Sequence, residues 1–462
     1  MDANRDGMPE AGHRLRRGRR IAPRTGVTIA LSVLVIGISA CSSKTVTTPS
    51  SSPTSSTPAS STGATGSTGT GPSGPTPGVT PTSVTVGQVD DLSSPIPGLF
   101  KGAEDGAKAY FAYVNSLGGV NGRKLVLDAQ DSLFQTGQVA TATGAQINHD
   151  FALVGGFSLL DSAEKPLIDL GHVPDVGFSL DPGLSSDPYL YSPLPNPVNY
   201  YPLGVFKYLA KTYPAAVKKV GIIWENATAS TTSAEHAFEG AMKAAGFQIA
   251  YDRGAGPFDT NFLSDIIAMQ NAGVKMFFST ELPDNYAAKL LKEMQQQNFK
   301  PINIEGAAYS SQLLSLAGSS ANNMYIEQGY ALYLGQDANT VPAVKLFDTW
   351  MRKVDPNPNF EIESVYGWAS AELFTQALRA AGKDPTRSKL IAALNQVTLF
   401  NAGGLIPPNN PAQAIPSGCF LMAQVQNGQI KRVPPSPSTG FYCGSSGFVA
   451  APGYHPVVRP TS

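Results

Sequence analysis

Cysteine is scarce in this chain: Cys41, Cys419 and Cys443 are the only three among 462 residues. So few exclude a disulfide-dense scaffold, and their spacing matches no zinc motif. The five histidines show no pairing at ligand or catalytic spacing, so they read as surface or capping residues and predict neither metal nor cofactor. Net charge is −1, and no basic block follows the first few dozen residues, which argues against a nucleic-acid partner. The chain has no Gly-x-Ser-x-Gly elbow, no His-Glu-x-x-His and no Gly-x-x-x-x-Gly-Lys-Ser/Thr loop, so an envelope hydrolase has no support. Its first apolar run, Val27 to Ile38, is too short for a comfortable membrane span. What is present is apolar: 42% of the residues are hydrophobic, enough for a large core.

The first residues read as a processing signal. Arg14, Arg16, Arg17, Arg19, Arg20 and Arg24 make a basic head, Val27 to Ile38 an apolar core, and small residues precede Cys41. The alternative is an uncleaved membrane helix. Ile38-Ser39-Ala40-Cys41 resembles the lipobox of bacterial lipoproteins, which implies that residues 1–41 form a signal peptide and that Cys41 becomes an acylated N-terminus. Acyl chains contribute about 0.8 kcal/mol per buried CH₂ and would hold the protein at a membrane surface. Residues 42–83 form a Ser/Thr/Pro-rich tether. Between Ser42 and Pro81 its only charged residue is Lys44, and it has no aromatic residue. Such a segment cannot offset its chain entropy by burial. As a coil its ends average roughly 35 Å apart.

Residues 84–462 are enough for two domains. Val84 to Ser158 reads as strand, helix, strand, helix, strand. Val84 to Val89 alternates and is β-branched; a helix follows over about Gly102–Leu117, stopped by Gly118-Gly119. Lys124–Ala129 is a strand, Thr136–Asn148 a helix, and Phe151–Val154 a strand ending in Gly155-Gly156-Phe157-Ser158. This alternation predicts a parallel sheet covered by helices, with ligands beyond the carboxyl ends of the strands. Asp161-x-x-Glu164 has the capping-box pattern ahead of a helix near Lys165. Pro182 to Pro202 reads as a first crossing between lobes, with a helix over Tyr200–Lys211 beyond it.

Strands are then expected at 219–224, 247–252, 274–279, 301–304 and 323–329. Helices are expected between them and at 342–354, 366–381 and 385–395. Glu225–Thr232 reads as a polar loop. Asn427-Gly428 is the strongest hairpin signal, joining strands near 419–426 and 429–433. Residues 434–462 read as a strap with little regular structure. Outside the cytoplasm two cysteines commonly pair, which predicts a Cys419–Cys443 disulfide.

Val86-Gly87, Leu92-Ser93, the run Val114 to Lys124 around Gly118-Gly119-Val120-Asn121-Gly122-Arg123, and Val154 to Ser158 together resemble the type I periplasmic binding proteins. The likeness is to the branched-chain amino acid (Leu/Ile/Val) binding family of ABC importers in particular. The resemblance implies an α/β fold of two Rossmann-like lobes with parallel sheets, joined by three crossings, with a ligand held between them. Lobe one would comprise 84–195 and 330–397, and lobe two 196–329 and 398–433. It also implies ligand contacts at Phe157, Ser158, Phe178, Ser179 and Phe100 on lobe one, and at Trp224, Glu225, Glu281 and Tyr309 on lobe two. Backbone N–H groups at 157–158 and the Ser158 hydroxyl would hold a carboxylate.

Each residue has another reading. Ser158 and Ser179 suit helix capping, Phe100, Phe178 and Trp224 suit the core, and Glu225 and Glu281 suit solvated loops. Two departures stand out. No acid occupies Gly306-Ala307-Ala308-Tyr309, where relatives pair the ligand ammonium. Asp90-Asp91 also replaces the neutral residues usual before Leu92-Ser93. Glu305, Glu281 or Asp91 could stand in for the missing acid, but the departures argue away from a branched-chain amino acid and leave amides, aromatic acids and other small organic acids open.

The expected function is a lipid-anchored, monomeric, non-enzymatic solute-binding subunit on the extracytoplasmic face of the cell membrane. It would hand a small molecule to an ABC permease and its ATPase. The alternative is a sensor or scaffold of the same fold without a transport role.

Overall fold

The structure is a computed structural model that describes residues 76–94, 100–196, 200–256, 259, 261–280, 282–305, 309–358, 360–444, 448–450 and 455–461. The signal segment, Cys41, most of the tether and Glu281 lie outside the described residues.

The first sheet is wholly parallel, in the order β2-β1-β3-β4. Strand β1 (Ser83–Asp90) pairs with β2 (Lys124–Asp131) along its whole length, from Ser83 opposite Lys124 to Asp90 opposite Asp131. β3 (Leu153–Val154) and β4 (Asp175–Val176) are short. Helices α1 (Lys101–Ser116), α2 (Thr136–His149), α3 (Lys165–Gly171) and α4 (Pro182–Ser185) connect these strands or follow them. The last five residues of β1 are all buried, as befits an inner strand covered on both faces.

The chain then passes through β5 (Tyr200–Pro202) and α5 (Gly204–Thr212) to a second, seven-stranded sheet. Its members are β6 (Val220–Glu225), β7 (Ile249–Ala255), β8 (Met276–Thr280), β9 (Ile302–Glu305), β10 (Tyr325–Gln328), β11 (Leu421–Gln426) and β12 (Gln429–Arg432), in the order β12-β11-β10-β9-β8-β6-β7. β6 to β10 run parallel, linked by α6 (Ala229–Ala244), α7 (Leu263–Ala272), α8 (Asp284–Gln296) and α9 (Ser311–Ala317); β11 and β12 close the edge antiparallel. Asn427 and Gly428 take the left-handed φ of 52° and 73° that a two-residue hairpin needs.

Between β10 and β11 the chain returns to the first sheet as α10 (Asp337–Thr340), α11 (Pro342–Val354), α12 (Ile362–Ala381) and α13 (Arg387–Leu394). Helix α12 crosses α1 at van der Waals range because glycine faces the crossing from both sides. A Cβ on Gly367 would lie 1.9 Å from the Ala103 carbonyl oxygen, and one on Gly106 2.1 Å from that of Ser364. The same crossing joins the helix starts: the Gly102 N–H donates to Glu361 Oε1 at 2.8 Å. Three passages between the sheets follow from this path, near 177–219, 329–341 and 395–420.

Several expectations change in detail. Asp161-x-x-Glu164 is not a capping box: Asp161 opens a short 3-10 turn, and Glu164 makes no side-chain cap on α3. Asp161 is instead turned toward Ser179. Tyr200–Pro202 is a strand rather than the start of a helix, because Pro202 favours extended backbone before it. The loop expected over Glu225–Thr232 is half helix; Thr228 and Thr231 cap α6 reciprocally. α12 starts at Ile362, four residues early, behind a reciprocal cap from Glu361 and Ser364.

The tail is tied down. β13 (Phe448–Ala450) pairs antiparallel with β5, and Cys419 and Cys443 form a disulfide. Arg459 donates to the carbonyls of Asp187, Pro188, Leu190, Pro411 and Ala412 and lies 4.2 Å over the Tyr191 ring. Among the described residues no helix is long and apolar enough to cross a membrane.

Candidate functional site

The carboxyl ends of the first sheet's strands converge on Asp90, Asp91 and the turn after β3. Asp90 Oδ1 accepts the Phe157 N–H at 2.8 Å. Asp91 Oδ1 accepts the Ser158 hydroxyl at 2.8 Å and also the Ser132 hydroxyl; Asp91 Oδ2 accepts the Leu159 N–H at 2.7 Å. Ser158 Oγ in turn accepts the Leu160 N–H at 3.0 Å. Serine hydroxyl and free amides thus form an anion cradle, and the chain's own Asp91 occupies it. Burial pushes the Asp91 carboxyl up, against the lowering effect of these hydrogen bonds.

Ser179 is arranged alike. Its hydroxyl donates to Asp161 Oδ2 at 2.6 Å, and its Oγ accepts the Asp181 N–H at 3.1 Å. Burial raises Asp161 to about 7. Both serines are almost fully buried, with their hydroxyls directed at internal carboxylates.

In front of this rim stands an aromatic wall. Phe178 stacks on Phe157 with centroids 5.3 Å apart and on Tyr366 at 4.5 Å, while Phe100 meets Phe157 edge-on at 4.4 Å. Phe100 holds a left-handed φ of 62° just ahead of α1, a conformation uncommon for a bulky residue.

The wall faces two adjoining cavities between the sheets. The larger, about 380 Å³, lies toward the three passages and is lined by Phe178, Leu180, Tyr200, Phe206, Phe238 and Phe420, among others. The smaller, about 250 Å³, is lined by Glu235, Thr280, Tyr330, Ile362 and Tyr366. They share Ala234, Phe238, Glu327 and Gly329 and form one cleft. Sites for small organic ligands are of this size and are mostly apolar with a few polar groups.

The cleft's charged lining is acidic. Glu327, at the carboxyl end of β10, borders both cavities, and burial raises it to about 7. Glu235 of α6 accepts the Thr280 hydroxyl at 2.7 Å. No Lys, Arg or His lines either cavity among the described residues.

Of the ligand contacts expected from sequence, Phe178 alone among the described residues lines the cleft; Phe157 and Phe100 pack behind it. Trp224 packs in the second sheet's core, and its indole N–H donates to Asp252 at 2.9 Å. Glu225 is buried at the end of β6. Tyr309 is buried, and its hydroxyl accepts the Leu334 N–H at 2.9 Å. Glu281 lies outside the described residues. Sequence reasoning missed Tyr366, Glu235 and Glu327. The signal for Glu327 was available: it is the acid on a strand whose carboxyl end leads into a passage, the same rule used for the other strands. Tyr366 had none, because the helix pattern assigns it to neither face clearly.

A periplasmic binding protein family model matches residues 83–429. No curated protein sequence matches the chain. Among solved structures, the chain is similar to a fatty acid ABC transporter substrate-binding protein from Thermomonospora curvata. That match has 19% identity and TM-score 0.64, covering 80% of this chain and 95% of that one. It is also similar to a branched-chain amino acid ABC transporter protein from Thermus thermophilus with bound valine, at 14% identity and TM-score 0.66, covering 79% and 97%. A third is a branched-chain amino acid transporter substrate-binding protein from Streptococcus pneumoniae in complex with isoleucine, at 17% identity and TM-score 0.61, covering 76% and 100%. With the matched span taking in both sheets, the chain belongs to the periplasmic binding protein family and has its type I fold.

Proposed function

We propose that this protein is the extracytoplasmic, lipid-anchored solute-binding subunit of an ABC importer. It captures a small organic ligand between two lobes and presents it to a permease and its ATPase. The observation that carries the reading is the cleft itself: two joined cavities between the sheets of a periplasmic binding fold, walled by stacked aromatics. Lobe one comprises 84–195 and 330–397, lobe two 196–329 and 398–433, with 434–462 as a strap. Closure removes ligand and apolar wall from water together, which favours the bound state. The protein is not an enzyme; it binds and releases its solute unchanged. Cys41 carries the anchor, and the protein acts as a monomer. Amino acids, amides and organic acids are the ligand classes left open by sequence.

A thermal-shift screen of the protein against those classes tests capture, because a ligand bound only by the native state raises the melting temperature. Uptake of the hit by a deletion strain, with and without the gene restored, tests transport. A melting temperature unmoved by every class removes the capture reading; unchanged uptake removes the importer role.

A further inference from the structure

The ligand's charge is written into the cleft. In lobe one the hydroxyl and amides suited to a ligand carboxylate already serve Asp91, which takes Ser158 Oγ at 2.8 Å and the Leu159 N–H at 2.7 Å. The neighbouring Ser179 hydroxyl and Leu180 N–H serve Asp161 in the same way. A ligand carboxylate would find both cradles filled by fixed carboxylates. It would also meet the Glu327 carboxyl, and no Lys, Arg or His lines either cavity among the described residues. The segments outside the described residues between 95 and 308 hold no Lys, Arg or His either. Among the described residues the Glu327 side chain makes no hydrogen bond or ion pair, and it stands where the two cavities meet. A partly buried carboxylate without a partner is costly and is stabilised by a donor that enters with the ligand. The remaining surface is apolar: Leu180, Val205, Phe206, Phe238 and Phe420 line the larger cavity.

Building on the capture role above, we propose that the solute is an apolar body carrying an N–H donor, an amine or a primary amide, and not a free carboxylate. The donor meets Glu327 beside Glu235, the body fills the cavity near the three passages, and the Phe178–Tyr366 face covers it. An ammonium group would also gain from the faces of that aromatic wall.

Three probes of matched shape separate the possibilities: 3-phenylpropylamine, 3-phenylpropanamide and 3-phenylpropanoate. They are titrated into the full chain in detergent, with calorimetry and melting temperature as readouts. The amine and the amide are expected to bind and the acid to bind at least about tenfold more weakly, the scale of one charge-assisted hydrogen bond. Glu327→Gln is expected to weaken the amine about tenfold and the amide less, since the glutamine carbonyl still accepts. The ligand-free melting temperature of this variant should not fall, because the side chain gives up no internal bond.

Equal or tighter binding of 3-phenylpropanoate overturns the inference and leaves capture standing. So does a Glu327→Gln variant that binds the amine like wild type. Hits from the wider screen count the same way: a free acid overturns it, an uncharged amide or an amine supports it. If no compound of any class binds, the capture reading falls, and this inference with it.

Discussion

Replacing Asp91 with alanine strands two buried serine hydroxyls and one buried amide, those of Ser132, Ser158 and Leu159. Each such orphan costs on the order of 1–3 kcal/mol, so Asp91→Ala should lower unfolding free energy by roughly 3 kcal/mol after partial rescue by water. Urea denaturation measures it, and a loss near zero would mean that the carboxylate does not hold the rim. Ser158→Ala removes one donor to Asp91 and the acceptor of the Leu160 N–H, and should cost about 2 kcal/mol. Amine affinity, measured by calorimetry, should be unchanged in that variant, because Ser158 belongs to the rim's internal bonding. The Gly155–Ser158 turn at a strand's carboxyl end is legible from the apolar run that precedes it. Its partner was not legible: nothing local distinguishes a serine that waits for a ligand from one already bonded to a residue 67 positions away.

At the scale of elements, the crossing of α1 and α12 leaves no room for a side chain. Gly367→Ala places a Cβ against backbone rather than against a flexible side chain, so relief requires the helices to part. The expected cost is about 3 kcal/mol, at the upper end of overpacking, read as a lower midpoint in denaturant. Periodicity identified both helices, and α11 was assigned to its observed ends, Pro342–Val354, since proline at a first turn is a clear start. Starts that depend on reciprocal caps, as at Thr228/Thr231 and Glu361/Ser364, precede the apolar pattern, which therefore marks them late. The hairpin at Asn427-Gly428 was plain because two left-handed residues in a row admit few side chains. The tail was hardest to read: β13 finds its partner in β5, far back in the chain, and three residues give no period to detect.

At the scale of the molecule, stability should fall as pH rises through neutrality. Burial holds Asp175 and Glu305 up at about 8 and Asp161 at about 7. Asp175 is further raised by Asp187 and Asp161, and Asp161 by Asp181; hydrogen bonds from Ser179 and Ser279 only partly oppose these shifts. A raised acid keeps its proton in the fold while the unfolded chain loses it. Its contribution is therefore complete below about pH 4 and is lost as pH climbs through 7–8. Melting temperature should be several degrees higher at pH 5.5 than at pH 8.5; a flat profile would mean that these carboxyls ionise in place. The disulfide should also count: the cysteines are 24 residues apart, and reduction should cost about 3 kcal/mol, seen as a lower melting temperature in reductant.

The two sheets and their passages followed from alternating periodicity, which is a property of the whole chain. The cleft's charge did not, because it depends on which acids the packing turns inward. Asp91 behaves as a resident guest in its own jaw. That rim is therefore set before any visitor arrives, and docking need not freeze it. If the cleft refuses acids as proposed, that discrimination is built in during folding rather than decided at each encounter.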